Sequence, residues 1–140
     1  MRHIFFPKEG DKFMTICEFK DKYYLHDSGI EEIKYDYSKK SLIIKVDFCF
    51  WAQKWYKEGE SSNGLITIKF NNVLCFEYIG NVIDRDLILN DLDNEILDVD
   101  IDVNNQLIIG ILEMLDYTSS DFYQIKIKAE NVEVAELEKQ

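Results

Sequence analysis

Six carboxylates close together are the residues best placed to do chemistry: Asp91, Asp93, Glu95, Asp98, Asp100 and Asp102. Residues 77–121 carry 12 acidic groups and one basic group, Arg85, a net of −11. Residues 1–76 carry a net of +1 and residues 122–140 a net of −1. The whole excess of the chain therefore sits in one stretch. Asp98-Val99-Asp100-Ile101-Asp102-Val103 alternates strictly. On a strand this sends Val99, Ile101 and Val103 to the core and sets the three aspartates on the outer face, about 6.5–7 Å apart. Like charges in such a row repel, so stability alone does not select them. A field of this sign attracts a basic partner and speeds its approach. A solvated, charge-blunted edge strand is the plainer use of the same residues.

Other chemistries fit less well. An EF-hand loop needs glycine at its sixth position and glutamate at its twelfth. Counted from Asp91 these are Ile96 and Asp102, and from Asp98 they are Val103 and Ile109. A ligand- or calcium-binding module without catalysis stays open as the alternative, its calcium site gathered from separate loops, for example Asp84, Asp86, Asp91 and Asp93. His26-Asp27-Ser28 holds the residue types of a catalytic triad, but neighbours in one segment cannot adopt triad geometry alone. It reads as a turn, with Asp and Ser bonding locally and Gly29 relaxing the backbone. Cys17, Cys49 and Cys75 are odd in number, lack C-x-x-C spacing and read as buried free thiols. No P-loop, G-x-G-x-x-G, H-E-x-x-H or G-x-S-x-G occurs. The expectation is a protein that is not an enzyme and takes neither cofactor nor metal.

The elements that must hold these residues read as strands. Leu42, Ile44, Val46, Phe48 and Phe50 mark one face of a long strand. Strands are also expected over 13–19, 33–37, 66–70, 73–79 and 122–128, with residues 131–140 a short strand or a frayed helix. Asn71-Asn72 reads as a hairpin turn, and Asn104-Asn105 closes the clearest hairpin, 96–103 with 106–115. A two-residue turn there puts Leu107, Ile109 and Ile111 on the outer face among the aspartates; a three-residue turn sends them inward. Phe48-Cys49-Phe50-Trp51 and Trp55-Tyr56 form an aromatic cluster for the core, with Trp51 and Trp55 as the alternative exposed anchors.

The chain of 140 residues is 46% hydrophobic, enough for a core, and shows no linker, so one domain over 1–140 is expected. Its 18 isoleucines against 3 alanines argue against a helical bundle. About nine short strands suggest an all-β, antiparallel β-sandwich, with a small open barrel as the alternative. The formal charge of −11 disfavours nucleic acid and anionic membranes as partners. The N-terminus lacks the apolar core of a signal peptide, and no apolar run approaches a membrane span, so the expected location is cytoplasmic.

Several segments together resemble the small bacterial proteins of the YxiG-like and immunity protein 50 group. They are His26-Asp27-Ser28, Ile30-Glu31-Glu32-Ile33-Lys34-Tyr35-Asp36-Tyr37, Leu42-Ile43-Ile44, Ile66-Thr67-Ile68-Lys69-Phe70-Asn71-Asn72-Val73 and Tyr123-Gln124-Ile125-Lys126-Ile127. The resemblance covers roughly residues 20–130 and implies an antidote that neutralises a polymorphic toxin, often a nuclease, without a cofactor. The charge points the same way, because a nuclease is basic where it holds phosphate. The expected binding residues are Asp98, Asp100 and Asp102, with Asp91, Asp93 and Glu95 as rim.

Overall fold

The computed structural model describes residues 4–5, 13–49, 52–53, 63–114 and 119–137. The described chain is all-β and antiparallel, with one short helix. In order come β1 (Ile4–Phe5), α1 (Ile16–Lys22), β2 (Gly29–Asp36), β3 (Ser41–Cys49), β4 (Asn63–Tyr78), β5 (Asn81–Val82), β6 (Leu87–Leu89), β7 (Asn94–Ile101), β8 (Leu107–Met114) and β9 (Ser120–Leu137). They form one sheet in the order β6-β2-β3-β4-β9-β8-β7, with β1 on β9 and β5 on β4. No helix among the described residues is long and apolar enough to cross a membrane.

The layers of the expected sandwich are parts of this single sheet, which bends over itself without closing as a barrel. Alternation supplies its inner face: Leu42, Ile44, Val46 and Phe48 of β3 are all buried, as the 2.0-residue period requires. Each such side chain contributes roughly 1.5–3 kcal/mol by leaving water. The bend is visible in one contact. Phe76, late in β4, meets Tyr35 of β2 with ring centroids 5.1 Å apart, although β3 separates the two strands in the sheet. The bulge between Val73 and Cys75 re-aims the second half of β4.

Asn71-Asn72 does not reverse the chain. Asn72 takes a left-handed φ of 51°, yet β4 runs on, because β9 lies alongside both halves. Asn71 Nδ2 donates to Asn131 Oδ1 and Glu133 Oε2, both at 2.8 Å, and Asn72 Nδ2 donates to Glu130 Oε2. Residues 131–137 are accordingly strand, the last part of β9.

The expected strand over 13–19 is replaced by an isolated bridge at Met14, to Val132, followed by α1. A capping box overrides the strand pattern. The Glu18 amide donates to Thr15 Oγ1 at 3.0 Å, and the Thr15 amide donates to Glu18 Oε1 at 2.9 Å. The helix then sets Phe19 against Phe70 and Tyr23 against Phe48, covering part of the inner face. It also leaves Cys17 exposed, contrary to the buried-thiol expectation, while Cys49 is buried and Cys75 intermediate. Phe48 and Cys49 belong to the core, whereas Phe50, Trp51, Trp55 and Tyr56 lie outside the described residues.

Candidate functional site

The two ends of the sheet meet along a seam. The segment 92–96 runs antiparallel to 27–31 without forming a continuous ladder. The Asp27 amide donates to Ile96 O (3.0 Å), the Ile96 amide to Ser28 O (2.7 Å) and the Leu92 amide to Glu31 O (3.2 Å). Between these the Asn94 side chain stands in for backbone. Its Oδ1 accepts the Ile30 amide and its Nδ2 donates to Ile30 O, both at 2.9 Å. The approach is close enough that a Cβ on Gly29 would lie 2.8 Å from Asn94 O. Gly29 thus serves as space, and the left-handed residue of the turn is Asp27, at φ 69°.

His26-Asp27-Ser28 shapes this seam. Ser28 is buried, and its Oγ accepts the Cys49 amide at 3.1 Å. Cys49 Sγ donates to Asp27 O at 3.3 Å. Buried Gln53 clamps the entering chain, accepting the Tyr24 amide and donating to Tyr24 O, both at 2.7 Å. His26 stacks on Tyr24 and meets Asp27 Oδ1 through Nδ1 at 3.1 Å. The three residues thus build the turn into β2, and the Ser28 hydroxyl faces inward.

Where loop 90–93 leaves the seam, with Asp91 at φ 54°, a cleft of about 520 Å³ opens. Glu31, Glu32, Asp47, Asp91 and Asp93 line it, together with Gly29, Ile30, Leu92 and Asn94. Beyond Asn94 the acids continue along the outer face of β7 as Glu95, Asp98 and Asp100. The Glu95 carboxyl is raised above its ordinary range. The main cause is a hydrogen bond with the Asp27 carboxyl; partial burial and the Asp27 charge add to it, and His26 opposes it. Among the described residues only two acids of this band meet a basic group. Lys45 Nζ lies 3.0 Å from Glu32 Oε2, and His26 holds Asp27.

The six expected residues fall into four settings. Asp91 and Asp93 line the cleft, and Glu95 stands beside Asp27. Asp98 and Asp100 are exposed on outer β7, and Asp100 Oδ1 also accepts the Ile101 amide at 2.8 Å. Asp102 belongs to the turn, its Oδ1 accepting the Asn104 and Gln106 amides, both at 2.9 Å. That turn has three residues, since Ile101 pairs with Leu107. Leu107, Ile109 and Ile111 therefore point inward and are buried, and Val103 sits fully exposed at the tip instead of in the core. The outer face still mixes acid with apolar surface, using other residues: half-buried Ile108 and Leu112, and Phe122, 53% exposed.

The sequence reading missed Glu31, Glu32 and Asp47, which come from the charge-balanced part of the chain. The Asp47–Gly29 register of β2 and β3 brings them to the seam. The four aspartates of the calcium alternative do not form one set. Asp86 Oδ1 accepts the Tyr37 amide at 2.8 Å, while Asp91 and Asp93 line the cleft. No three His, Cys, Asp or Glu side chains among the described residues gather so as to hold a metal ion. Compared with protein-family models, characterised proteins and solved structures, the chain matches none.

Proposed function

We propose that this chain is a non-catalytic inhibitor of the immunity-protein kind, acting in the cytoplasm. It neutralises a basic protein partner, such as a nuclease toxin, by covering it with the acidic band that runs from Asp47 across the cleft to Asp100. One observation carries the reading. Among the described residues, Glu31, Asp47, Asp91, Asp93, Glu95, Asp98 and Asp100 form an ion pair with no lysine, arginine or histidine. Carboxylates left uncompensated on one surface raise the local potential and steer a cationic partner. Seam and hairpin hydrogen bonds fix the backbone beneath them, so little order has to be gained on binding. The likeness to the YxiG-like and immunity protein 50 group supports the same direction.

The test takes the product of the adjacent gene as the candidate partner. Its association rate with the chain, followed by surface-based kinetics, is expected to fall steeply with added salt. Asp91→Lys/Asp93→Lys and Asp98→Lys/Asp100→Lys are each expected to slow it further. Binding that ignores both salt and the two charge reversals refutes the proposal.

A further inference from the structure

On outer β7–β9, Asp98, Gly110 and Phe122 meet at one point. Asp98 pairs with Gly110 in the β7–β8 register, and Phe122 lies diagonally across on β9, opposite Leu112. A Cβ built on Gly110 would collide with Asp98 Oδ1 and lie 3.2 Å from Phe122 Cε2. The missing side chain is thus what lets the carboxylate fold inward until it stands beside the ring. Both groups stay open to solvent: Asp98 is exposed, and Phe122 is 53% exposed. No basic group among the described residues pairs with Asp98. Lys126, further along β9, stands between Ile108 and Glu77 in register and forms no ion pair with Asp98.

We infer that Asp98, Gly110 and Phe122 form a subsite for an arginine side chain of a basic protein partner. The inference rests on the acidic-band reading and names its anchor. A guanidinium is planar and weakly hydrated, so it can lie on the ring while donating to the carboxylate. An ammonium satisfies the charge but stacks less well. Half-buried Ile108 and Leu112 lie on either side of Gly110 along β8 and add apolar surface next to the point.

The probes are hexa-arginine and hexa-lysine peptides, titrated at low salt into the full chain and followed by amide resonances and calorimetry. Hexa-arginine is expected to bind about two- to five-fold more tightly than hexa-lysine, the range an exposed cation–π contact supplies. The Gly110 and Phe122 amides are expected to move with it. Phe122→Leu is expected to abolish the preference, lowering hexa-arginine affinity more than hexa-lysine affinity. Asp98→Asn, which keeps the shape, is expected to abolish it too, and thermal melts check both folds. Equal binding of the two peptides, or a preference that survives Phe122→Leu and Asp98→Asn, overturns the subsite and leaves the acidic band standing. Failure of both peptides to bind overturns the band and the subsite together.

Discussion

Replacing Asn94 by alanine tests whether the seam holds the cleft in shape. Asn94 satisfies both backbone groups of Ile30, a residue only 1% exposed. Each orphaned buried group costs about 1–3 kcal/mol. Water entering from the cleft recovers part of that, so the expected loss is about 2–4 kcal/mol, a fall in melting temperature on the order of 10 °C. Asn72→Ala is the control. Asn72 is exposed and its side chain bonds only Glu130 across the outer face, but its φ of 51° favours asparagine over alanine, so its removal is expected to cost about 1 kcal/mol. Asn94→Asp separates shape from charge. It retains an acceptor for the Ile30 amide but sets an anion against Ile30 O and beside Asp93 and Glu95. At neutral pH it is expected to be worse than alanine, and to recover as acid protonates it. Urea unfolding gives the energies, and hydrogen exchange at Ile30 and Ile96 shows whether the seam opens locally. Asn94→Ala costing no more than Asn72→Ala, with Ile30 exchange unchanged, refutes the claim that this side chain holds the seam.

Gly29→Ala places a methyl 2.8 Å from Asn94 O and is expected to cost about 1–3 kcal/mol in urea unfolding. Ile79 and Gly80 form the β4–β5 turn with φ of 50° and 78°, a conformation poor for a β-branched residue. Ile79→Asn is therefore expected to stabilise by about 1–2 kcal/mol, read by the same method. Because the Glu95 pKa is raised in the fold, its stabilising effect is complete below the ordinary value of 4.5 and fades as pH rises through the folded value. Glu95→Gln is expected to flatten that part of the melting-temperature profile.

What the sequence disclosed follows from how local each signal is. The strand faces of β3 and β9 were legible because alternation depends only on neighbours along the chain. The helix was missed although its signal was present: Thr15 and Glu18 stand three apart, and the capping box outweighed a weak strand alternation. Asn71-Asn72 misled because a turn signal gives local conformation only, while the β9 strand beside it decides whether the chain reverses. For the site, the concentration of charge in 77–121 was visible directly. The cleft was not, because Asp47 and Asp93 become neighbours only through the β2–β3 register and the seam. The hairpin register turned on a single residue of turn length, and that residue decides which isoleucines are buried.

The acidic band also makes a claim about stability. Asp27 and Glu31 stand on one side of the seam and Asp91, Asp93 and Glu95 on the other, and like charges facing one another across it are expected to oppose the hydrogen bonds that hold it. Neutral residues at these positions are expected to make a more stable protein. Salt tests this, since ions screen exposed repulsion within about 10 Å at 0.1 M. The melting temperature is expected to rise with sodium chloride, and Asp91→Asn/Asp93→Asn is expected to raise it at low salt and reduce its salt dependence. The same pair should weaken binding to a basic partner. If added salt left the wild-type melting temperature flat or lowered it, the carboxylates would not be repelling one another across the seam, and the electrostatic argument for a cationic partner would lose its basis.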